Sequence, residues 1–137
     1  MNIYFAGSIR GGRSDQPLYF EIIKKLTKYG KVFTEHVADE KLTILGEQDI
    51  DPVVAHDRDM QWLNDSHVIV AEVTVPSLGV GYEIAKADDL GKKTLCLYRP
   101  TEGKALSVML LGNKNLIIKY YQVPEELDSI FSEFFRN

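Results

Sequence analysis

The sequence predicts an α/β protein with a doubly wound, five-stranded and mainly parallel sheet that carries helices on both faces. The first observation behind this prediction is that short apolar runs alternate with segments of helical periodicity along the whole chain. The second is the run at residues 68–73, which reads as a central parallel strand covered on both faces. The third is that no repeat, linker or low-complexity segment interrupts the 137 residues, so we expect a single domain over residues 1–137.

The individual elements follow from local signals. Each predicted strand is a short apolar run, and each predicted helix has apolar residues three or four positions apart. The first helix ends at Gly30, the second begins at the capping pair Asp51-Pro52, and the third ends near Gly91. The strands are predicted at residues 2–6, 31–34, 68–73, 94–98 and 116–120, and the helices at residues 15–29, 51–64, 78–90, 104–111 and 124–135. This order is typical of Rossmann-like and flavodoxin-like sheets, which bind ligands at the carboxyl ends of their strands.

Composition narrows the class of function. The net charge is −4 and no long basic run occurs, which argues against nucleic acid as the main partner. No apolar segment is long enough to cross a membrane and no basic leader follows Met1, so we expect a soluble cytoplasmic protein, or a nuclear one in a eukaryote. The single cysteine, Cys96, lies in an apolar run and is expected to be a buried strand thiol. The three histidines are widely separated, so we predict no metal site. We also expect no cofactor.

A glycine-rich basic stretch follows the first strand, with the sequence Gly7-Ser8-Ile9-Arg10-Gly11-Gly12-Arg13. Glycines let backbone amides approach a ligand, and arginines add charge-assisted hydrogen bonds to a phosphate. The stretch matches neither the dinucleotide pattern nor the P-loop pattern. It therefore predicts a small anion site of another kind, the alternative being a flexible turn with its arginines in solvent.

A second candidate turn follows the third strand, with the sequence Pro76-Ser77-Leu78-Gly79-Val80-Gly81-Tyr82-Glu83. Glu83 would lie just inside a helix, with the small residues Gly79 and Ala87 on the same face, where a ligand could approach closely. It is either a nucleophilic carboxylate or a first-turn glutamate that interacts with the helix dipole. Ser77 fits both an N-cap and a phosphate donor.

Three further residues are candidates for the same sheet edge. Asp59 falls on the apolar face of the second predicted helix, where a carboxylate is costly unless it is functional or paired, for example with Arg58. His36 closes the second strand and could contact a substrate. Tyr4 could point its hydroxyl toward the site or serve as ordinary sheet packing.

Together these motifs resemble the 2'-deoxynucleoside 5'-phosphate N-hydrolases of the nucleoside 2-deoxyribosyltransferase superfamily. The resemblance covers the whole chain and rests on the segments Tyr4-Phe5-Ala6-Gly7-Ser8-Ile9-Arg10-Gly11-Gly12-Arg13, Thr34-Glu35-His36-Val37, Arg58-Asp59-Met60-Gln61-Trp62-Leu63 and Ala71-Glu72-Val73-Thr74-Val75-Pro76-Ser77-Leu78-Gly79-Val80-Gly81-Tyr82-Glu83. It departs from the family pattern at Ala6, where vertebrate members commonly have cysteine, and in the loop at residues 39–51.

The resemblance implies hydrolysis of the N-glycosidic bond of a deoxynucleoside monophosphate to a free base and deoxyribose 5-phosphate. It implies that Glu83 is the nucleophile, that Asp59 orients the sugar and assists proton transfer, and that Tyr4 lies beside the nucleophile. It further implies a homodimer in which Ser107 reaches the phosphate of the neighbouring subunit. The remaining residues expected to bind substrate are Gly7, Ser8, Ile9, Arg10, Gly12, His36, Ser77 and Gly79.

Three other functions remain open at the level of sequence. A deoxyribosyltransferase would use the same glutamate but pass the sugar to a second base, and a ribonucleotide N-glycosidase would accept a substrate such as CMP. A nucleotide-binding module would sense without cleaving. The arginine at position 10 with Ser77 and Ser107 favours a phosphorylated substrate, and the two carboxylates Asp59 and Glu83 favour an enzyme over a sensor.

Overall fold

The computed structural model describes residues 1–8, 15–33 and 51–136. The strands are β1 (Asn2–Ala6), β2 (Lys31–Phe33), β3 (Val68–Glu72), β4 (Lys93–Tyr98) and β5 (Leu116–Tyr120). The helices are α1 (Gln16–Leu26), α2 (Pro52–Asp65), α3 (Leu78–Asp89), α4 (Val108–Leu111) and α5 (Leu127–Phe135), and a 3₁₀ turn at Pro124–Glu126 precedes α5. Within these ranges no helix is both long and apolar enough to cross a bilayer.

All five strands form one sheet in the order β2-β1-β3-β4-β5, and every neighbouring pair is parallel. This confirms the doubly wound sheet. The chain passes from β1 outward to β2 and returns past β1 to β3, so the strand order reverses between β1 and β3. In open α/β sheets such a reversal leaves a crevice at the carboxyl ends of the strands. Here those ends are Ala6 and Glu72, next to the two turns singled out in the sequence.

Alternating side chains on the strands divide the interior into two cores. Ile3 and Phe5 of β1 point to one face of the sheet, where α1 and α5 pack. Tyr4 and Ala6 point to the other face, where α2 and α3 pack. Any site made from Tyr4 and residues of α2 and α3 therefore lies on the second face.

Helix starts follow the capping signals, but three predicted bounds need correction. The first helix ends at Leu26 rather than Tyr29, and the last begins at Leu127, because residues 124–126 form a 3₁₀ turn. Asp51 caps α2 by accepting a hydrogen bond from Val53 N at 2.7 Å, and Ser77 caps α3 by accepting one from Val80 N at 3.3 Å. The helix predicted at residues 104–111 begins only at Val108. Ser107 is its N-cap, with its Oγ accepting from Met109 N at 3.2 Å, because a serine hydroxyl competes for backbone amides and marks a helix start.

Candidate active site

The candidate site is centred on Tyr4 and Glu83. Tyr4 lies in the middle of β1 with its ring fully buried, and its hydroxyl donates a hydrogen bond to Oε2 of Glu83 in the second turn of α3. The ring of Tyr4 packs in the core while its hydroxyl faces Glu83, so the two alternatives for this residue are compatible. Glu83 is not a first-turn glutamate, because α3 begins at Leu78 and Glu83 lies in its second turn.

The environment of Glu83 changes its acidity. Burial raises the pKa of Glu83 to about 7, the Tyr4 hydrogen bond lowers it, and the negative charge of Asp59 raises it. Burial likewise raises the pKa of Tyr4, with Glu83 and Asp59 adding to the rise, so the phenol remains a donor throughout the neutral range. A carboxyl that titrates near neutral pH with a fixed donor at one oxygen is typical of a catalytic site.

Asp59, on α2, is the third residue of the candidate site. It is paired with Arg58, which was one of the two alternatives for this residue. Arg58 Nε and Arg58 Nη2 both lie 3.0 Å from Asp59 Oδ1. The guanidinium also lies over Trp62, 4.8 Å from the ring centroid, and Trp62 stacks on Phe33 at the end of β2 with 5.7 Å between centroids. Asp59 is thus held by a chain of contacts that reaches back to the sheet, while its charge acts on Glu83 and Tyr4.

The two turns contribute hydroxyl groups to the same edge of the sheet. Ser8 is fully buried, its amide donates to the Tyr19 hydroxyl at 3.1 Å, and its Oγ has no hydrogen-bond partner among the described residues. Ser77 accepts from Val80 N, so its own hydroxyl proton can still be given to a ligand. Within the part of the chain that the structure describes, a Cβ added at Gly79 would meet Ser77 Oγ alone, at 3.8 Å.

Gly7 has a packing role as well as its predicted place in the substrate site. A Cβ at this position would lie 3.0 Å from Tyr19 Cε2 and 3.3 Å from Phe5 Cε2. A larger residue here would press on the rings of Tyr19 and Phe5, which would have to shift slightly to accommodate it.

Ser107, the N-cap of α4, lines an apolar groove of about 610 Å³ between α3 and α4. Ser77, Val80, Ile84 and Leu110 line the same groove. Glu83 does not line this groove. Leu78, Val108 and Met109 are strongly exposed nearby, at 97%, 77% and 78%.

Several predicted residues fall outside the described ranges or outside the site. Ile9, Arg10, Gly12 and His36 belong to the segments that the structure does not describe. Cys96 is buried as predicted, and burial raises the pKa of its thiol to about 12. Among residues 1–8, 15–33 and 51–136, no three histidine, cysteine, aspartate or glutamate side chains are grouped as metal ligands.

Sequence reasoning missed one charged group at this edge. Glu72, the last residue of β3, is fully buried and faces the opposite side of the sheet from Tyr4, where it contacts Thr74, Arg99 and Tyr121. Its signal was available, because a glutamate interrupts the run at residues 68–73 that was predicted to be covered on both faces.

Comparisons with known proteins agree with these features. The model of the family described as nucleoside 2-deoxyribosyltransferase matches residues 3–117. The chain is 51% identical over 137 residues to the 5-hydroxymethyl-dUMP N-hydrolase of Danio rerio, covering 98% of this chain and 96% of that protein. It is 50% identical over 142 residues to the protein of the same name from Esox lucius, covering 99% and 97%.

A likeness in structure extends to more distant proteins. The solved structure of a CMP N-glycosidase from Clostridium botulinum matches with a TM-score of 0.65 at 18% identity, covering 96% of this chain and 99% of that one. At this identity the likeness concerns the fold alone. The family resemblance drawn from the sequence motifs is confirmed by the matches to the family model and to the relatives.

Proposed function

This chain belongs to the nucleoside 2-deoxyribosyltransferase family, and on that basis we propose that it hydrolyses the N-glycosidic bond of 2'-deoxynucleoside 5'-monophosphates. The products are a free base and 2-deoxyribose 5-phosphate. The names of the relatives from Danio rerio and Esox lucius support this class of reaction and suggest 5-hydroxymethyl-dUMP as the first substrate to test.

The observation that carries the proposal is the contact between Tyr4 and Glu83 beside Asp59. N-glycosidic cleavage passes through an oxocarbenium-like state, which a carboxylate stabilises and can trap covalently. We assign the nucleophile to Glu83. The hydrogen bond from Tyr4 holds one carboxylate oxygen in place and favours the charged form that attacks.

The reaction then has two steps. A Glu83 oxygen bonds to C1' of the sugar while the bond from C1' to the base nitrogen breaks, its electron pair leaving with the base, which receives a proton that Asp59 relays from solvent. Water next attacks C1', its proton passes by way of Asp59 to solvent, and the bond to Glu83 breaks to regenerate the carboxylate. Two displacements at C1' retain its configuration.

The hydroxyls of Ser8 and Ser77 support a phosphorylated substrate. Ser8 Oγ lacks a partner, and Ser77 keeps a proton to donate. We propose that these groups and the small residue Gly79 hold the sugar and phosphate. The assignments of Gly7, Ile9, Arg10, Gly12 and His36 to the same task stay predictions from the sequence.

The apolar groove supports a homodimer as part of the same proposal. The groove and the exposed side chains beside it form a surface that a second copy of the chain would cover. Ser107 and Ser77 both line this groove, and Glu83 does not. We propose that Ser107 of each subunit reaches the phosphate bound by its partner.

The decisive experiment follows base release by chromatography. The protein is incubated with each deoxy- and ribonucleoside monophosphate and with the matching nucleosides, with and without a second base. Release from deoxynucleoside monophosphates in water supports the hydrolase. A new nucleoside formed from the added base would identify a transferase, cleavage of CMP a ribonucleotide glycosidase, and binding without release a sensor.

The matched variant is Glu83→Ala. It should abolish base release while the protein stays folded by circular dichroism and still binds a deoxynucleoside monophosphate in calorimetry. Full activity in this variant would refute the assignment of the nucleophile.

A further inference from the structure

A buried charged cluster lies at the carboxyl edge of the sheet, on the face opposite Tyr4 and Glu83. Glu72 accepts hydrogen bonds from Thr74 N at 2.7 Å, from Thr74 Oγ1 at 3.1 Å and from the Tyr121 hydroxyl. Arg99 Nε lies 3.8 Å from Glu72 Oε2. The cluster therefore joins the ends of β3 and β4 to the residue that follows β5.

Arg99 extends this cluster to α1. Its Nη2 pairs with a carboxylate oxygen of Asp15, the residue that precedes α1, and its backbone amide donates to Thr74 Oγ1 at 3.0 Å. One guanidinium is thus shared between a carboxylate at the end of β3 and a carboxylate at the start of α1. The hydroxyl of Tyr19, a residue of α1, in turn accepts a hydrogen bond from the backbone amide of Ser8 at 3.1 Å.

The cluster does not itself form an anion site. Two carboxylates, Glu72 and Asp15, face the single guanidinium of Arg99, so no positive charge is left over for a phosphate. Burial raises the pKa of Glu72, and the hydrogen bonds from Tyr121 and Thr74 together with the charge of Arg99 oppose that rise. Glu72 also lies on the α1 side of the sheet, away from the reacting atoms.

Stability alone is a weak reason to bury such a group. Replacing a buried ion pair with well-packed apolar residues is often neutral or stabilising, whereas a satisfied polar network fixes one arrangement of the elements it joins. The elements joined here are the start of α1 and the turn that runs from Thr74 to Ser77. Ser8 and Ser77, the two hydroxyls assigned to the substrate, are attached to these same elements.

We infer that Glu72 and Arg99 are positioning residues that hold Ser8, through the start of α1, and Ser77, through the turn after β3, at the separation that binding of the substrate phosphate requires. This inference rests on the proposed function. It differs from a structural role in what it predicts, because loosening Ser8 and Ser77 weakens the hold on the phosphate but leaves Tyr4, Asp59 and Glu83 on the other face unchanged. Loosening these contacts should therefore raise KM and leave kcat unchanged.

The test compares Arg99→Met with Lys93→Met in steady-state base release from the best deoxynucleoside monophosphate. Lys93 is a matched control, since it is a cation at the start of β4, the strand that Arg99 follows, and its Nζ donates to Phe134 O at 2.6 Å at the opposite, amino-terminal edge. Arg99→Met should raise KM about tenfold or more and leave kcat within about twofold, whereas Lys93→Met should change neither. Arg99→Lys, which keeps the positive charge but lacks the planar guanidinium with its several N–H donors, should give an intermediate KM.

An unchanged KM, an equal loss of kcat, or the same effect in Lys93→Met would overturn the inference. If Arg99→Met does not fold by circular dichroism, Asp15→Asn takes its place, because it removes one partner of Arg99 at the partly exposed end of the cluster.

Failure of the proposed function would be visible separately, as no base release from any monophosphate by the unmodified protein. The positioning role is then tested by calorimetric titration with deoxyuridine monophosphate. Binding that weakens about tenfold in Arg99→Met supports it. Equal binding by both proteins, or none by the unmodified protein, overturns it.

Discussion

The hydroxyl of Tyr4 donates a hydrogen bond to Oε2 of Glu83, joining the middle of β1 to the second turn of α3. This contact sets two opposing influences on one carboxyl group. Burial and the charge of Asp59 favour the neutral acid, whereas the phenol favours the carboxylate. The balance places the pKa of Glu83 at about 7, so the charged fraction of this carboxyl changes across the physiological range.

The first prediction concerns the acidic limb of the pH profile. Because the proposed nucleophile must be charged, kcat/KM should fall about tenfold per pH unit below the pKa of Glu83, about 7. The substrate phosphate also ionises, near pH 6, and its pKa measured by phosphorus NMR serves as the control. A profile that is flat from pH 5 to pH 8 would contradict the role of Glu83 as an attacking carboxylate.

The second prediction isolates the hydroxyl of Tyr4. Tyr4→Phe keeps the buried ring and removes the donor that lowers the pKa of Glu83. The acidic limb should therefore move to higher pH, and kcat at pH 7 should fall, whereas the plateau at high pH should fall less. A limb that stays in place or moves to lower pH would show that the phenol does not stabilise the charged form.

The third prediction concerns stability. Between pH 4.5, the ordinary pKa of Glu83, and about 7, its value in the fold, the unfolded chain ionises at this residue while the folded chain does not. The free energy of unfolding should therefore decrease through this window and level off above it.

Glu83→Gln removes this titration and keeps an oxygen that can accept from Tyr4. The free energy of unfolding of this variant should equal that of the unmodified protein near pH 4 and exceed it at pH 8 by at most about 3 kcal/mol. The difference should be smaller to the extent that water screens the partly exposed carboxylate. Urea unfolding at the two pH values measures the difference. If the variant were less stable than the unmodified protein at pH 8, the ionised carboxylate of Glu83 would not be destabilising the fold, and the prediction would be wrong.

The fourth prediction concerns how Asp59 is oriented. Arg58→Met removes both contacts to Asp59 Oδ1 and the cation over Trp62. Stability should change by less than about 1 kcal/mol, because the pair is partly exposed. Activity should fall more than stability implies, since the acid that protonates the base loses its orientation. Arg58→Lys is the control, because it keeps the charge and loses the fork. Equal activity in Arg58→Met and the unmodified protein would show that Asp59 needs no such support.

The fold could be predicted because its signals are local, whereas the site residues came from the motif resemblance and stay predictions. Alternating apolar runs located every strand, and capping residues such as Asp51 and Ser77 located helix starts. Sequence spacing cannot distinguish rotamers, so the choice between a functional and a paired Asp59 stayed open until the contact with Arg58 was seen. The structure shows that one carboxylate can be both paired and near Glu83.

Local sequence signals could not predict contacts between segments that are far apart in the chain. Glu72 meets Tyr121 across 49 positions and Arg99 meets Asp15 across 84, and no periodicity relates such residues. The position of the helix near residue 108 was wrong for a different reason, because the N-cap signal of Ser107 was outweighed by the apolar residues around it. The homodimer, the cytoplasmic location and the roles of Ile9, Arg10, Gly12 and His36 stay predictions.

The last prediction tests whether Ser107 acts on the partner subunit. Ser107→Ala should raise KM for monophosphates, and Ser107→Thr, which keeps the hydroxyl and the N-cap of α4, should not.

Mixed dimers of Glu83→Ala and Ser107→Ala chains give the sharper result. If Ser107 serves its partner, one of the two sites in a mixed dimer combines an intact Glu83 with an intact Ser107, so mixing an inactive protein with a high-KM protein restores activity with the unmodified KM. If Ser107 served its own chain, every active site in the mixture would contain the Ser107→Ala defect and KM would stay high. Light scattering of the mixture, with Met109→Glu as a variant that should keep the subunits apart, establishes that dimers are present when the kinetics are measured.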